Sequence, residues 1–363
     1  MKILIEFLWG IEAGPLFSYG LASGLKANGH DVYCILLEQT ENRAQWIETF
    51  GSSHLSFVRS TPKKKKPLSS GVTFLTDCLK IKSKFHNIIF DLTIRTFVHP
   101  YDPVIFKFIR TNKLATVCHD PIPHSGNNDQ IAEKYHDQIR HSGEIIVLTK
   151  AFIPVLEERY GIERSHIHYL RHGLMVYQRS SSPMKKNDPA ESINYLFFGR
   201  IEAYKGLHVL ADAYRLLTQN YSNVSITIAG GGDFSDYTDE YQELPNVTII
   251  NRYINEEEIE SLFDTGNTVV VLPYIDATQS GVIPIAFDFG VPVIASNTGG
   301  LAEQLFGGEY GILFETGNSQ ALADSMAAFV NSPKTYQYQA KKMKEGRDLL
   351  KWENVAKELI DSW

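Results

Sequence analysis

The sequence has 363 residues, of which 43% are hydrophobic and 21% are charged, as in globular proteins large enough for two domains of about 150–200 residues each. Its net charge of −7, its isoelectric point of about 6.0 and a basic run without interleaved aromatic residues argue against a nucleic-acid-binding protein. The sequence contains no run of about 18 apolar residues, so no membrane-spanning helix is predicted.

The amino-terminal segment and the cysteines predict a cytoplasmic location. Residues 1–14 contain Glu6 and Glu12 and lack a small-residue cleavage site, so they predict a buried strand rather than a signal peptide. The three cysteines have no metal-binding spacing, and an odd number argues against a disulfide framework.

The first half of the chain alternates predicted strands and helices. A strand over residues 2–8 leads into a helix over residues 15–28, with Gly29 as its C-cap. The other predicted strands of this half are residues 32–37, 88–91, 115–118 and 144–148, and the other helices lie near residues 104–110, 129–141 and 151–160.

A polar segment over residues 178–192 has no apolar periodicity and predicts an interdomain linker. The alternation then restarts, and it ends in a unit of strand, polar loop, apolar helix and strand. The predicted strands are residues 193–198, 224–229, 247–250, 268–272 and 292–295, and the predicted helices are residues 206–217, residues 255–263 and one that begins at Ser280 and Gly281.

This repeated pattern predicts an α/β protein with two doubly wound, Rossmann-like domains that face each other across a cleft. The first domain spans residues 1–177 and the second spans residues 193–332. Residues 333–363 are predicted to form helices, and the last of them either packs on the second domain or crosses back to the first, which we favour. Its apolar residues recur at three- and four-residue steps, at Leu349, Trp352, Val355, Ala356 and Leu359.

Charge is distributed unevenly between the two halves. Residues 1–175 contain 21 basic and 17 acidic residues, a net charge of +4, whereas residues 176–363 contain 14 and 25, a net charge of −11. Part of the basic excess is the run Lys63–Lys66, which precedes an apolar helical stretch. This arrangement is typical either of a solvated loop and an ordinary helix or of a surface that contacts anionic lipid headgroups. The side chains concerned are Lys80, Lys82, Lys84, Val72, Phe74, Leu75 and Leu79.

The loop after the predicted strand 268–272 offers groups that suit a phosphate ester. Thr278, Gln279 and Ser280 supply hydroxyls and an amide, and the backbone N–H groups through Gly281 and Val282 open a helix. Loops at the carboxyl ends of parallel strands are where open α/β sheets bind ligands. The loop therefore predicts half of a nucleotide-sugar site.

Two further loops follow strands of the same predicted sheet. Arg200 and Lys205 lie between a strand and a helix, where they would bind a diphosphate, although Arg200 could instead pair with Glu202. Gly230 and Gly231 belong to a triple-glycine loop that either lets the backbone approach a ligand or forms a tight turn.

The segment after the third strand of this sheet, Arg252, Tyr253 and Ile254, is predicted to present backbone groups and an apolar face to a base.

The first domain also has loops at predicted strand ends. The loop that contains Gly14 is not G-x-G-x-x-G, so an NAD site is disfavoured, but it could approach a sugar or a phosphate. His119 and His124 flank two prolines near Asp120, and their spacing matches no metal site, so no metal ligand is predicted. His119 is interpreted as a substrate contact, with a structural histidine as the alternative.

The order GRIEAYKG, AGGGD, NRYI and PYIDATQSGVIPIAFDFGVPVIASNTGG, together with CHDPIPH and HGLMV in the first half, resembles the retaining GT-B glycosyltransferases of family 4. The resemblance covers nearly the whole chain and is strongest over residues 195–320. It implies transfer of a sugar from a UDP- or GDP-sugar to a glycan or lipid-linked glycan acceptor, with retention of configuration and without a metal or other cofactor. Bacterial surface polysaccharide biosynthesis, at the inner face of the membrane, is the implied setting.

The resemblance also implies roles for individual residues. Arg200, Lys205 and the N–H groups of residues 280–282 would stabilise charge on the leaving phosphate. His119 would position the donor sugar, and the leaving phosphate itself would take the proton of the acceptor.

The chain departs from the acidic pair E-x7-E of the family, which would fall at Ala277 and Ile285. Asp276 lies one residue early and is a candidate for the first carboxylate, and Thr278, Gln279 and Ser280 are candidates for other donor contacts.

Two functions from other classes remain open at this point. A sugar-nucleotide epimerase on the same fold would need acid and base carboxylates, for which the sequence offers no clear positions. A non-catalytic, two-lobed sugar-binding protein would need an export signal and no diphosphate-binding pair of cations.

Overall fold

A computed structural model describes residues 1–10, 14–59, 67–121, 139, 141–177, 179 and 186–363. The chain divides into two compact units. The first unit comprises Met1–Gly173 and Lys351–Trp363, and the second comprises Leu174–Leu350. The run Lys63–Lys66, His124 and nearly all of the predicted helix over residues 129–141 lie outside the described residues.

The first unit contains a seven-stranded parallel sheet in the order β3-β2-β1-β4-β5-β6-β7. Its strands are β1 (Lys2–Phe7), β2 (Asp31–Leu37), β3 (Leu55–Val58), β4 (Phe90–Arg95), β5 (Thr111–Cys118), β6 (Glu144–Val147) and β7 (Ile167–Tyr169). Its described helices are α1 (Gly14–Ala27), α2 (Arg43–His54), α3 (Pro67–Phe85), α4 (Asp102–Ile105), α5 (Ile153–Tyr160) and, from the end of the chain, α13 (Trp352–Asp361).

Helices cover both faces of this sheet, as its almost continuously apolar strands require. Phe17 and Leu21 of α1 pack in one core cluster with Val355 and other residues of α13. Phe74 and Ile81 of α3 belong to the cluster on the other face.

The two helices α1 and α13 approach each other closely at two glycines. A β-carbon added at Gly20 would lie 2.0 Å from Nε1 of Trp352, and one at Gly24 would lie 2.2 Å from the Trp352 carbonyl oxygen. The absence of side chains at Gly20 and Gly24 therefore makes room for Trp352, and α13 groups with the first unit.

The second unit contains a six-stranded parallel sheet in the order β10-β9-β8-β11-β12-β13. Its strands are β8 (Ile193–Phe198), β9 (Val224–Ala229), β10 (Val247–Ile250), β11 (Thr268–Leu272), β12 (Val293–Ser296) and β13 (Ile312–Phe314). Its helices are α6 (Leu207–Thr218), α7 (Thr238–Gln242), α8 (Glu256–Phe263), α9 (Val282–Phe289), α10 (Leu301–Gln304), α11 (Ser319–Asn331) and α12 (Pro333–Gly346). Both sheets therefore have the doubly wound topology that the sequence predicts.

The predicted strand over residues 88–91 is displaced towards the carboxyl terminus, since β4 runs from Phe90 to Arg95. Polar Thr93 and Arg95 are buried in this strand. Hydrophobicity alone ends the strand too early, because the Arg95 guanidinium is satisfied by the Thr116 hydroxyl at 2.7 Å.

Other elements also differ from the prediction. The predicted helix over residues 104–110 is the short α4 followed by a 3₁₀ turn over Phe106–Phe108. Residues 174–177 and 333–350 group with the second unit, whereas the prediction placed boundaries at residues 177 and 332. The elements α2, β3, β7, α7, α10, β13 and α11 were not predicted from the sequence.

Candidate functional site

The second sheet changes winding direction between the neighbouring strands β8 and β11. In such sheets the crevice outside the carboxyl ends of these two strands is where ligands bind. Residues 199–206 follow β8, and residues 273–281 follow β11 and end at the first turn of α9. These two loops contain most of the site residues predicted in the second domain, and they meet at this switch point.

Lys205 lies in the loop after β8 and is 9% exposed. Burial lowers the pKa of its ammonium, with neighbouring Arg200 adding to the effect, while Tyr204 and Glu202 oppose it. The Lys205 ammonium lies 5.2 Å from the ring centre of Tyr274, and a β-carbon added at Gly199 would lie 3.1 Å from its Nζ. Among the described residues, no carboxylate lies within 4.0 Å of Nζ to balance this charge.

The backbone on both sides of Lys205 is fixed by contact with the loop after β11. Gly206 has φ +67°, and a β-carbon there would lie 2.0 Å from the Pro273 carbonyl oxygen. The N–H groups of Ile275 and Asp276 donate to the Tyr204 carbonyl at 2.7 and 3.4 Å. These backbone contacts therefore fix the position of Lys205, and they do not involve its side chain.

Arg200 is exposed, in contrast to Lys205. Within the described part of the chain its guanidinium makes no ion pair with Glu202, which was the alternative role considered from the sequence. Arg200 nevertheless lies close enough to Lys205 to lower the pKa of that ammonium. The two predicted cations therefore lie near each other at one strand end.

The start of α9 differs from the prediction that all N–H groups of residues 280–282 are available to a ligand. The Ser280 N–H donates to Oε1 of Gln304 at 2.8 Å, and Nε2 of Gln304 donates to the Ser280 carbonyl at 3.0 Å. The Val282 N–H donates to the Ser280 hydroxyl at 3.2 Å. Among the described residues, the Gly281 N–H has no hydrogen-bond acceptor, so it is the group of the three that a ligand can use.

Gln304 was not predicted as a site residue, although it lies only four positions beyond the motif that ends at Gly300. It is 7% exposed, and its amide mimics a peptide group that clamps the backbone of Ser280. Ser296 adds a second restraint, because its hydroxyl donates to the Tyr274 carbonyl at 2.5 Å. No sequence motif announces these contacts, which join residues more than 20 positions apart.

The other predicted residues of this loop have different environments. Asp276 is exposed, and Thr278 is buried. Oε1 of Gln279 is buried and has no hydrogen-bond partner in the described structure. A buried amide oxygen without a donor is costly, so Gln279 offers an acceptor to a ligand hydroxyl or amine.

The positions of the family acidic pair are apolar and buried. Ala277 is 1% exposed, and Ile285 is 4% exposed on α9. A carboxylate at either position would have to be buried without the partners that such a charge needs. This site therefore contains neutral side chains where the family pattern has charges.

The triple-glycine loop after β9 packs against the loop after β8. A β-carbon at Gly230, which has φ +154°, would lie 1.9 Å from the Gly199 carbonyl oxygen. The Ile201 N–H donates to the Gly231 carbonyl at 2.9 Å. Close packing of two backbones accounts for Gly230, and a ligand contact at Gly230 or Gly231 stays a prediction.

Arg252, Tyr253 and Ile254 lie after β10 and differ in exposure. The exposed Arg252 forms a bidentate ion pair with Glu258, at 2.6 and 2.9 Å, and this lowers the pKa of the Glu258 carboxyl to about 2. Tyr253 is 59% exposed, and Ile254 is 8% exposed. Arg252 therefore helps to fix the start of α8, and Tyr253 is the ring of this segment that is open to solvent.

In the first unit, His119 follows β5 and is partly buried. Its ring stacks on Phe97 at 4.1 Å, and its Nε2 lies 2.8 Å from the Thr96 carbonyl oxygen. Because a carbonyl only accepts, Nε2 carries the proton and Nδ1 carries the lone pair. Burial lowers the pKa of the ring, so His119 is a neutral histidine with Nδ1 as an acceptor.

His172 lies near His119 and was not singled out from the sequence. It is 6% exposed, and burial lowers its pKa to about 4, with His119 adding to the effect. Both imidazoles contact the edge of Phe17, each at 5.3 Å. Gly14 lies at the start of α1, where a β-carbon would lie 2.9 Å from the Phe7 ring, so packing accounts for this glycine.

The first unit also buries a cation at a strand end, Arg95 of β4. Its NH1 lies 3.5 Å from Oδ2 of Asp102, and the Asp102 carboxyl is next to that of Glu6. Burial raises the pKa of Asp102 to about 6, and burial together with Asp102 raises the pKa of Glu6 well above its usual range. Both carboxyl groups are therefore harder to ionise than usual, and Asp102 is the counter-charge that the cluster itself supplies to Arg95.

Among the described residues, no group of three or more histidine, cysteine, aspartate or glutamate side chains could hold a metal ion. In the same part of the chain, no helix is both long and apolar enough to cross a bilayer.

Comparison with known proteins finds relatives of the second unit. Residues 179–346, just under half of the chain, match the family model described as Glycosyl transferases group 1. D-inositol 3-phosphate glycosyltransferase from Corynebacterium urealyticum is 25% identical over 235 residues, which cover 60% of this chain and 55% of that protein. The chain spans about half the length of the curated relatives it matches.

Solved structures share the architecture over the whole chain. HepE from Anabaena, solved in complex with UDP-glucose, superposes with a TM-score of 0.70 at 16% identity and covers 100% of this chain and 99% of its own. Sucrose-phosphate synthase from Thermosynechococcus elongatus gives a TM-score of 0.70 at 17% identity, covering 99% and 97%. The fold is therefore that of the GT-B glycosyltransferases, and the second unit carries a glycosyl transferases group 1 domain.

Proposed function

We propose that the protein is a retaining, metal-independent glycosyltransferase that moves a sugar from a UDP- or GDP-sugar to a glycan or lipid-linked glycan. The observation that carries this proposal is the buried Lys205 ammonium at the β8–β11 switch point, which has no described carboxylate within 4.0 Å. A buried charge without a counter-ion is costly, and a diphosphate supplies the missing negative charge. The family match over residues 179–346 supports the same activity.

In the proposed reaction, the bond between the anomeric carbon and the β-phosphate oxygen breaks, and the acceptor oxygen bonds to the anomeric carbon from the same face. The acceptor proton passes to an oxygen of the leaving phosphate. Lys205, Arg200 and the Gly281 N–H stabilise the negative charge that develops on this phosphate, which is the preorganised electrostatic role typical of such sites.

Neutral groups orient the sugars in this proposal. Oε1 of Gln279, which has no partner in the described structure, accepts a hydrogen bond from a donor hydroxyl, and Nδ1 of His119 accepts one from a substrate hydroxyl. Asp276, which is exposed, and Thr278 contribute further donor contacts. Tyr253 and the backbone of Ile254 contact the base, while Arg252 orders that segment through Glu258.

The decisive experiment is incubation with radiolabelled nucleotide sugars, with and without glycan acceptors. UDP-glucose is tested first, because the HepE structure contains it. We expect acceptor-dependent transfer of label that persists in EDTA and gives a product with the anomeric configuration of the donor. Interconversion of free nucleotide sugars would indicate an epimerase, and binding without turnover would indicate a sugar-binding protein.

We also propose that the first unit contacts anionic membranes from the cytoplasmic side, as an enzyme of bacterial surface polysaccharide synthesis would. Val72, Leu75 and Leu79 of α3 are 66%, 51% and 54% exposed at helical spacing, whereas Phe74 is buried in the core. Lys82 of the same helix is exposed and attracts anionic headgroups, contributing about 1 kcal/mol near the surface. Lys80 instead lies 3.8 Å from Asp77, and Lys84 donates to backbone carbonyls.

Liposome flotation tests this contact. We expect the wild type to float with anionic vesicles at low salt, and Leu75→Ser with Leu79→Ser to reduce the floated fraction severalfold. A wild type that does not float at low salt would contradict the contact. So would flotation that the double substitution leaves unchanged. Ile47→Ser, an exposed apolar change on α2, is the matched control.

A further inference from the structure

Trp9 follows β1 in the first unit, at the point where that sheet changes winding direction between β1 and β4. Its Nε1–H donates to the Val98 carbonyl at 2.9 Å, and Val98 lies just beyond the end of β4. The indole therefore bridges the ends of the two strands that frame the switch point. Crevices at this position in doubly wound sheets bind ligands.

The indole is held in place from a second side. Its ring meets the ring of His99 at 5.2 Å with an angle of 71° between the planes. His99 is itself fixed, because its backbone N–H donates to Oδ2 of the buried Asp102 at 2.6 Å. Burial lowers the pKa of His99 to about 4, so this neighbour is neutral at physiological pH.

The exposed part of Trp9 is apolar. The residue is 45% exposed, and its one hydrogen-bonding group already has a partner within the protein. At this edge of the first sheet, the described loop residues expose no other large apolar side chain. Within the described residues, the ring is therefore an isolated apolar surface rather than part of a wide apolar patch of the kind that contacts lipid or protein.

The loop after β2 contacts the backbone next to Trp9. Gly10 follows Trp9, and its carbonyl accepts a hydrogen bond from the Glu41 N–H at 3.2 Å. A β-carbon added at Gly10 would lie 3.2 Å from the Gln39 carbonyl oxygen. Gln39 and Glu41 are both exposed, and the Gln39 carboxamide donates to the Arg59 carbonyl at 2.7 Å, so the loop next to Trp9 carries polar side chains.

We propose that Trp9 is a stacking platform for a pyranose ring of the acceptor. A pyranose has an apolar face of C–H groups and a rim of hydroxyls, which match an exposed aromatic ring next to a polar loop. A flat aromatic platform loses little conformational freedom on binding, because the indole is already fixed by Val98 and His99. This inference rests on the proposed function, since it names the part of the acceptor that the first unit binds.

The test measures sugar binding directly, without donor or turnover. The protein is labelled with 5-fluorotryptophan, which gives one ¹⁹F signal for each of its four tryptophans, and Trp9→Phe assigns the Trp9 signal. Methyl glycosides of glucose, galactose, mannose and N-acetylglucosamine are titrated to high millimolar concentration. We expect at least one of them to shift the Trp9 signal saturably, while the signals of Trp46 and Trp352 stay unchanged.

Variants separate stacking from a structural role of the indole. We expect Trp9→Ala to raise the KM for a glycan acceptor about tenfold, Trp9→Phe to raise it less because a ring remains, and Ile47→Ala to leave it unchanged. Nucleotide binding, followed by thermal shift, should be the same in all of them. If the wild type binds no nucleotide, the proposed function fails, whereas the fluorine titration still tests Trp9. A Trp9 signal that moves with none of the glycosides, or only with phospholipid vesicles, would overturn the platform.

Discussion

Each unit buries a cation near the switch point of its sheet, and the two cations have different surroundings. Arg95 of the first unit has Asp102 at 3.5 Å and the Thr116 hydroxyl at 2.7 Å. Lys205 of the second unit has the ring centre of Tyr274 at 5.2 Å and no described carboxylate within 4.0 Å. The charge of Arg95 is therefore neutralised within the protein, while that of Lys205 is available to a ligand. The comparison teaches that burial of a charge at a strand end indicates a ligand only when the counter-charge is missing.

The remaining side chains at the two sheet edges follow the same division. The first unit presents Trp9 and Phe97 together with His99, His119 and His172. Burial lowers the pKa of each of these three histidines. The second presents Arg200, Lys205 and a free N–H at Gly281. One topology thus carries a neutral aromatic edge and a cationic edge, which suit a sugar ring and a diphosphate respectively.

The largest expected effect comes from removing the unbalanced cation. Lys205→Met should lower kcat/KM for the nucleotide sugar by about 10²–10³, the usual loss on deleting one electrostatic contact to a transition state. Because an unbalanced buried charge is destabilising, the variant should melt at the same temperature as the wild type or higher. Steady-state kinetics and calorimetry on one preparation measure both quantities. Wild-type turnover in this variant would remove the diphosphate assignment.

A smaller loss is expected at the exposed cation. Arg200→Ala should reduce kcat/KM by about tenfold, because a solvent-exposed charge is screened more strongly than a buried one. Rising ionic strength should also reduce the activity of the wild type more than that of Arg200→Ala. Arg215→Ala, which removes an exposed guanidinium paired with Asp212, is the control. Equal effects of the two substitutions would mean that Arg200 is an ordinary surface residue.

The contact of Gln304 with the backbone of Ser280 should affect both the stability of the protein and the binding of the donor. Gln304→Ala leaves the buried Ser280 N–H and carbonyl without partners and should cost about 1–3 kcal/mol of unfolding free energy. Because the Gly281 N–H is oriented by this loop, the KM for the donor should rise while the KM for the acceptor stays constant. Gln304→Met, which keeps the length of the side chain but can make neither hydrogen bond, should lose a similar amount of unfolding free energy. Two donor KM values equal to that of the wild type would show that the clamp has no part in binding.

The smallest effect concerns pH and the neutral edge of the first unit. The pKa of His172 falls from 6.5 in the unfolded chain to about 4 when folded, so the unfolded state binds the proton more tightly. The stabilising contribution of neutral His172 is therefore present above pH 6.5 and is lost as pH falls towards 4, with an upper bound of about 3 kcal/mol. His172→Gln should lose less stability on acidification than the wild type does. Parallel pH dependences of the two melting temperatures would contradict this.

Much of the fold could be predicted from the sequence because both sheets are parallel and their strands are short apolar runs. The bounds of β8, β9, β10 and β11 match the predicted ones. The prediction is wrong for β4, which contains the buried Arg95. Burial of this guanidinium costs little free energy because its partners come from other parts of the chain. Hydrophobicity records composition along the chain, and it cannot record a partner such as Thr116.

The candidate site was predictable to a similar degree. The loops after β8 and β11 could be placed at one sheet edge by topology alone, and Arg200 and Lys205 lie there. The same argument could not show that Gln304 occupies the Ser280 N–H, or that the Arg252 guanidinium is paired with Glu258. Such occupancy depends on side-chain contacts across loops, which no spacing rule contains.

The attachment of α13 to α1 through Gly20 and Gly24 has a consequence for the order of folding. The second unit is continuous in the chain, from residue 174 to residue 350, whereas the first is completed only by residues 351–363. During synthesis the later segment can therefore form its core while the earlier one still exposes the groove that Trp352 fills. The amino-terminal half, although made first, would be the last to finish, and a ribosome stalled near residue 350 would hold it with that groove open to chaperones.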